Sequence, residues 1–193
     1  MKCFIDFDDT LMHRSKMTDD IYAAFGSMSA EQLRGHYADY RRDHPFTITG
    51  FTEYLKTLGI DGDQLRELFF SFATRAKEYV FPDAIAFVNT LKAAQHECIL
   101  LSFDAEPALW QKPKIEASGL APLFDRVEVI SYPKVAFMRS LNIATPFVFI
   151  DDKREEVDAM HAAFPDALCL KHDRGEPLLP HLANIDAFSH NNS

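Results

Sequence analysis

Phe4-Ile5-Asp6-Phe7-Asp8-Asp9-Thr10-Leu11 opens the chain with a short apolar strand that runs into carboxylates. Side chains alternate between faces along a strand, so a regular strand would put Asp6 and Asp8 on the same side. An inner strand of a parallel sheet is apolar on both faces. Acids at its carboxyl end therefore add nothing to packing. They are well placed for a site, because open α/β sheets bind ligands outside the carboxyl ends of their strands. The plain alternative is a strand end whose solvated acids feed an Asx-type turn.

Three later segments weigh against that alternative. Glu97-Cys98-Ile99-Leu100-Leu101 runs into Ser102. Val127-Glu128-Val129-Ile130 is followed by Ser131-Tyr132-Pro133-Lys134, and Pro146-Phe147-Val148-Phe149-Ile150 runs into Asp151-Asp152. A parallel sheet would bring all four carboxyl ends to one edge, and with them Asp6, Asp8, Ser102, Lys134, Asp151 and Asp152. Acids so close raise one another's pKa. One lysine cannot neutralise four of them, which points to a divalent cation. Carboxylate and carbonyl oxygens with few nitrogens suit Mg²⁺.

At 193 residues, 47% of them hydrophobic, the chain can bury a core with a small second lobe. The net charge of −9, without a basic block, argues against nucleic acid and against an anionic membrane surface as partners. No apolar run approaches the length of a membrane span. Met1-Lys2-Cys3-Phe4-Ile5-Asp6 reaches an acid too soon for a signal peptide. Cys3, Cys98 and Cys169 are odd in number and each falls in an expected strand, so they read as buried small hydrophobes. That usage fits a reducing cytoplasm. The eight histidines are scattered without metal-ligand spacing, which argues against zinc. The sequence sets no oligomeric state, monomer or homodimer.

After Leu11 the pattern turns helical. Thr18-Asp19-Asp20 is read as capping a helix through Phe25, and Ser29-Ala30-Glu31-Gln32 as a capping box opening a helix toward His44-Pro45. Further helices are expected over 49–58 and from Asp61 to about Tyr79. Residues 12–80 thus form a helical insert. From Pro82 onward, helices near 83–95, 106–118, 134–141 and 153–163 alternate with strands at 97–101, 127–130, 146–150 and 167–170. This is the rhythm of a doubly wound parallel sheet. Pro113 implies a break or later start in the 106–118 helix, and the tail His190-Asn191-Asn192-Ser193 reads as frayed.

Together these residues resemble the haloacid dehalogenase superfamily. Its first motif, Asp-x-Asp-x-Thr after an apolar strand, stands here as Asp6-Phe7-Asp8-Asp9-Thr10. Ser102 matches the second motif, Lys134 the third, and Asp151-Asp152 the acidic pair of the fourth. Many members carry Asp or Asn four residues further on, where this chain has Glu156. The resemblance implies a Rossmann-like α/β core over residues 1–11 and 81–188, with a helical cap over 12–80. Dehalogenase members replace the second aspartate of the first motif. Retention of Asp8 therefore resembles the phosphatase and phosphomutase side.

By that pattern Asp6 attacks phosphorus, and Asp8 is the acid and then the base. Asp6, the main-chain carbonyl of Asp8 and Asp152 hold Mg²⁺, with Asp151 assisting. Ser102 and Lys134 bind the phosphoryl oxygens, and Thr10 belongs to the same phosphate-binding loop. The substrate implied is a small phosphorylated metabolite. A sugar phosphomutase, and an idle relative used for binding, are the competing readings. Lys112 and Lys114 follow the second strand rather than the third and are set aside as phosphate ligands. In the insert, Tyr37, Tyr40, Arg41 and Arg42 are the polar candidates for substrate specificity.

Overall fold

The structure, a computed structural model, describes residues 1–106, 108–143 and 146–191. Asn192 and Ser193, read above as frayed tail, lie outside the described residues, whereas His190 and Asn191 close a helix that the sequence reading missed. Five strands form one sheet: β1 (Lys2–Ile5), β2 (Glu97–Phe103), β3 (Arg126–Ile130), β4 (Phe147–Asp151) and β5 (Leu168–Lys171). Their order is β3-β2-β1-β4-β5, and every pairing is parallel.

Strand alternation splits the core in two. Phe4, Ile99, Leu101, Phe147 and Phe149 face α7 (Lys134–Ser140) and α8 (Arg154–Ala163). Cys3, Ile5, Cys98, Leu100, Val148 and Ile150 face the other side, with α5 (Ala84–Ala93), α6 (Gln111–Ser118) and α9 (His181–Asn191). Inner strands are thus apolar on both faces, as a doubly wound sheet requires. Cys3, Cys98 and Cys169 are free thiols within strands.

Four helices lie between β1 and α5: α1 (Arg14–Ala24), α2 (Ala30–Asp43), α3 (Ile48–Thr57) and α4 (Gly62–Ala73). The chain leaves and re-enters the sheet region through two antiparallel segments. There the Phe81 amide donates to the Leu11 carbonyl at 3.0 Å and the His13 amide to the Tyr79 carbonyl at 2.7 Å. The insert's Phe25, Leu33, Phe51 and Leu65 join the same apolar cluster as Ile5 and Leu100. Phe69 of α4 stacks edge-on against Trp110 before α6, with ring centroids 5.4 Å apart.

The capping box at Ser29 and Gln32 is formed as read. Thr18, by contrast, is inside α1, with its hydroxyl donating to the Arg14 carbonyl at 3.0 Å. The helix starts earlier because Asp9 serves it from outside, accepting from the Ser15 amide at 2.8 Å and the Ser15 hydroxyl at 2.7 Å. The helix expected through Tyr79 ends at Ala73 and gives way to a 3₁₀ turn over Ala76–Tyr79. Helix α6 starts at Gln111, which leaves Pro113 in its first turn, where the missing amide costs no helical bond.

Helices α3 and α4 touch closely at Gly62, where an added Cβ would lie 2.1 Å from the Thr52 carbonyl oxygen. Gly35, inside α2, has nothing within 4 Å of that position. The two substitutions to alanine should therefore differ in sign. Gly62→Ala is expected to destabilise by about 1–3 kcal/mol through overpacking. Gly35→Ala should stabilise by up to about 1 kcal/mol through helix propensity. Urea denaturation of both variants checks the pair.

Candidate active site

Register puts the first two acids together. Ile5 pairs with Ile150 across β1 and β4, so the next residues, Asp6 just past β1 and Asp151 at the end of β4, stand side by side. The ladder extends one bond further, from the Asp6 amide to the Ile150 carbonyl at 2.9 Å. Beyond Asp6 the chain folds into a turn in which the Leu11 and Met12 amides both donate to the Phe7 carbonyl. Asp9 stands in that turn at φ +57°, a left-handed conformation that aspartate tolerates better than most residues. Strand β1 therefore ends at Ile5; Asp6 keeps the place the ladder gives it, and Asp8 takes its place from the turn rather than from strand alternation.

Lys134, the first residue of α7, reaches between the two strand ends. Its ammonium donates to an Asp6 oxygen and to Asp151 Oδ2, the latter at 2.7 Å. All three side chains are buried. Burial works to lower the Lys134 pKa, but the charges of Asp6 and Asp151 outweigh it and hold the group above its ordinary value. Burial also pushes the Asp6 and Asp151 carboxyls up, against the pull of Lys134. The Thr10 hydroxyl, fully buried, lies 3.4 Å from Asp6 Oδ2. Thr10 is thus placed to orient Asp6 rather than to face the cleft.

A second lysine serves the second acid. Lys114 of α6 has no exposed side-chain surface and donates to Asp8 Oδ1 at 2.6 Å, whereas the Asp8 side chain stays 24% exposed. The ammonium sits over the rings of Phe7 and Trp110. Gln111 completes the group, donating to Asp8 Oδ2 at 3.1 Å and to the Ser102 hydroxyl at 2.6 Å. Burial works to raise the Asp8 pKa, but Lys114 and Arg14 prevail and hold its carboxyl below the ordinary value. Lys112 is exposed.

These contacts correct one expectation. Lys114, set aside above as a phosphate ligand, reaches the site as the partner of Asp8, because α6 starts late and lays its first turns along the edge. The premise of one lysine for four acids falls, since Lys134, Lys114, Arg14 and Arg174 all lie near the group. Arg174, in the loop after β5, donates through Nε to Asp152 Oδ2 at 2.6 Å. No sequence pattern announces Lys114, Gln111, Arg14 or Arg174.

Asp6, Asp151 and Asp152 can nonetheless each turn an oxygen to within 4.8 Å of the others. Asp152 Oδ1 is buried without a hydrogen-bond partner among the described residues. An orphaned carboxylate oxygen beside two further carboxylates fits an oxygen-ligated divalent cation. The Asp8 carboxylate is taken by Lys114 and Gln111, so only its main-chain carbonyl is available for such a role.

A cleft of about 700 Å³ lies over this edge, lined among others by Asp8, Asp152, Gln111, Arg14, Tyr37 and Arg41. Arg42 also lines it, while paired to Asp39. Tyr40 does not reach it. Its ring is buried in the insert against Phe51 and Tyr54, at centroid distances of 5.6 Å.

No protein-family model matches the chain, and no curated protein matches it. Solved structures do. A haloacid dehalogenase-like family hydrolase from Xanthomonas campestris superposes with a TM-score of 0.67 at 19% identity, over 99% of this chain and 92% of that one. The chain has the haloacid dehalogenase fold. A protein assigned as a HAD-hydrolase, YfnB of Bacillus subtilis, was determined bound to magnesium. It matches with a TM-score of 0.62 at 16% identity, over 95% of this chain and 98% of that one. A Thermotoga maritima protein assigned as a beta-phosphoglucomutase matches with a TM-score of 0.60 at 15% identity, over 95% and 91%. At these identities the likeness to haloacid dehalogenase-fold proteins is one of fold. Among the described residues no helix is long and apolar enough to cross a membrane.

Two outcomes follow for the charged groups. Lys114→Met leaves Asp8 without its buried counter-ion and should destabilise by about 3 kcal/mol. The double variant with Asp8→Asn should recover at least about 1 kcal/mol of that loss, measured as a double-mutant cycle in urea. For Asp152, burial and then the charge of Asp6 raise the carboxyl pKa in the folded chain. A raised carboxyl means the native state holds the proton more tightly, so ionisation opposes folding as pH rises. In divalent-free buffer Asp152→Asn should therefore raise Tm at pH 7.5. The gain should shrink as pH falls through the carboxylate range and wild type becomes protonated.

Proposed function

We propose that this chain is a phosphomonoester hydrolase of the haloacid dehalogenase superfamily, Mg²⁺-dependent and acting on a small phosphorylated metabolite through an aspartyl-phosphate. The observation that carries this reading is a division of labour between two carboxylates at one sheet edge. Asp6 is buried, oriented by Thr10 and held by Lys134. Asp8 is held by Lys114 yet keeps access to the cleft.

In this reading an Asp6 oxygen attacks phosphorus. The bond from phosphorus to the leaving oxygen breaks, and that oxygen departs with the electron pair and takes a proton from Asp8, which has to enter this step protonated, against the pull of Lys114. Water then attacks phosphorus and gives a proton to Asp8, and the bond from Asp6 to phosphorus breaks to free phosphate. A covalent intermediate divides one difficult transfer into two easier ones. The ionised state in which Lys114 keeps Asp8 is the one the water step needs. Ser102 and Lys134 bind the phosphoryl oxygens and oppose the charge that develops on them. Asp6, Asp152 and the Asp8 carbonyl, with Asp151 assisting, would hold Mg²⁺, which supplies the charge cancellation a carboxylate needs near a phosphoryl dianion. The helices over 12–80 act as a cap that excludes water and contacts the leaving group.

Retention of Asp8 favours phosphoryl transfer over dehalogenation. A mutase shares the same two carboxylates, and the likeness to a protein assigned as a beta-phosphoglucomutase keeps it as the second reading. Release of free phosphate from a metabolite panel separates the two, since a mutase isomerises its substrate with little net release.

The test uses an aryl phosphate. Turnover is expected to stop with chelator and to return with Mg²⁺. Folded Asp6→Asn should lose at least about 10³-fold in kcat. Full activity in metal-free protein, or near wild-type turnover by Asp6→Asn, would refute the mechanism.

A further inference from the structure

Arg14 opens α1 and lines two cavities at once. One is the cleft over the strand ends. The other, of about 270 Å³, is lined by Arg14, Tyr22, Arg34, Tyr37, Phe46 and Phe69 among others. Arg14, Tyr37 and Phe46 border both, so the guanidinium stands where the cleft meets the cavity inside the insert.

Most cations around it are paired with acids, while Lys153 lines the cleft as an exposed side chain and Arg41 is held by a carbonyl. Lys134 is bound to Asp6 and Asp151, Lys114 to Asp8, Arg174 to Asp152, Arg42 to Asp39 and Arg34 to Asp19. Arg41 donates to the His44 carbonyl at 2.8 Å. Among the described residues Arg14 makes no ion pair. Its guanidinium carbon lies 5.8 Å from the centre of the Phe46 ring, and the group faces the Tyr37 hydroxyl. The nearby acids are engaged elsewhere, Asp8 by Lys114 and Gln111 and Asp9 by Ser15.

The charges of Asp8 and Asp9 favour the half-buried guanidinium without forming an ion pair with it, and a ligand anion in the cleft would give it a direct partner. Its planar fork of donors matches carboxylate and phosphate oxygens in pairs. We infer that Arg14, with the Tyr37 hydroxyl, binds a second anionic group of the substrate, so that the substrate class is a phosphomonoester carrying a further carboxylate or phosphate. The phosphomonoester end of this inference rests on the hydrolase reading above. The second anion rests on Arg14 itself. Arg14 would discriminate by leaving its charge unpaired when a neutral metabolite phosphate binds. Tyr37 belongs to the polar candidates that the sequence singled out, and Arg14 joins Arg41 and Arg42 as a cation lining the cleft.

The test is calorimetric binding of non-hydrolysable probes in saturating Mg²⁺. Methylphosphonate carries one anionic group. Phosphonoacetate, 3-phosphonopropionate and ethane-1,2-diphosphonate add a second, as carboxylate or phosphonate. Wild type should bind at least one of the three about 10-fold to 100-fold more tightly than methylphosphonate, the range expected of charge-assisted hydrogen bonds. Which of them gains identifies the second anion. Arg14→Gln, shown to be folded by circular dichroism, should lose that preference, its affinity for the favoured probe falling about 10-fold or more beyond any fall for methylphosphonate, with Arg14→Lys intermediate. No preference in wild type, or an equal loss for all probes in Arg14→Gln, overturns the inference. In the second case Arg14 serves the transferred phosphoryl group. A preference that depends on Arg14, found together with no hydrolysis of any phosphate ester, overturns the hydrolase reading and leaves the anion site standing.

Discussion

The site is organised by one buried ammonium group. Lys134 bridges Asp6 and Asp151, which stand side by side just past β1 and at the end of β4. Taking these charges out of water costs several kcal/mol per ion unless they meet at good geometry. Strand register, the turn after β1 and the start of α7 must therefore agree on one point in space. A slip of one residue in the pairing of β1 and β4 would exchange a carboxylate for an isoleucine and leave the lysine unpaired. The order of the strand ends and the electrostatics of the site are the same constraint seen from two sides.

Around that point the acids are shared out between elements. Lys134 comes from the helix after β3 and Lys114 from the helix after β2. One takes the carboxylate assigned as nucleophile, the other the carboxylate assigned as acid and base. The two carboxylates are consequently shifted in opposite directions, Asp6 up and Asp8 down. The lowered Asp8 suits the base of the proposed water step, whereas the raised Asp6 needs the positive charge of a bound cation to attack as a carboxylate. Asp152 keeps one oxygen for Arg174 and one without a partner among the described residues, which is where the charge balance remains open.

The helical insert takes part in the same economy of charge. Its apolar residues run into the cluster on one face of the sheet, so the helices are seated on the core. Its polar residues line the cleft. Arg14 belongs to both, being the first residue of the insert's first helix and a near neighbour of the first motif. A cation so placed borders both the cleft and the cavity inside the insert, and its charge also acts on Asp8.

Much of this was legible along the chain. Apolar runs ending in acids, serine or lysine determined a parallel sheet with its site at one edge, because strands buried on both faces leave few other reasons for such endings. Asp6, Asp8, Ser102, Lys134, Asp151 and Asp152 could be named for that reason. The capping box at Ser29 and Gln32 could be named because its donors and acceptors are three residues apart. Helix starts were less legible. Asp9 caps α1 from a turn six residues upstream of Ser15, and of the two readings Pro113 allowed, a break or a later start, the later start holds. Only the tertiary structure decided which charges meet. Lys114 lies 106 residues from Asp8 and Arg174 lies 22 from Asp152. Their contacts depend on where α6 and the loop after β5 come to rest, and a lone lysine or arginine in sequence looks the same whether it faces solvent or a buried acid. Tyr40 and Tyr37 stand three residues apart on one helix, yet the first is packed among rings and the second opens on the cleft. Local periodicity records which residues are apolar. It does not record which side of a helix the rest of the molecule will cover.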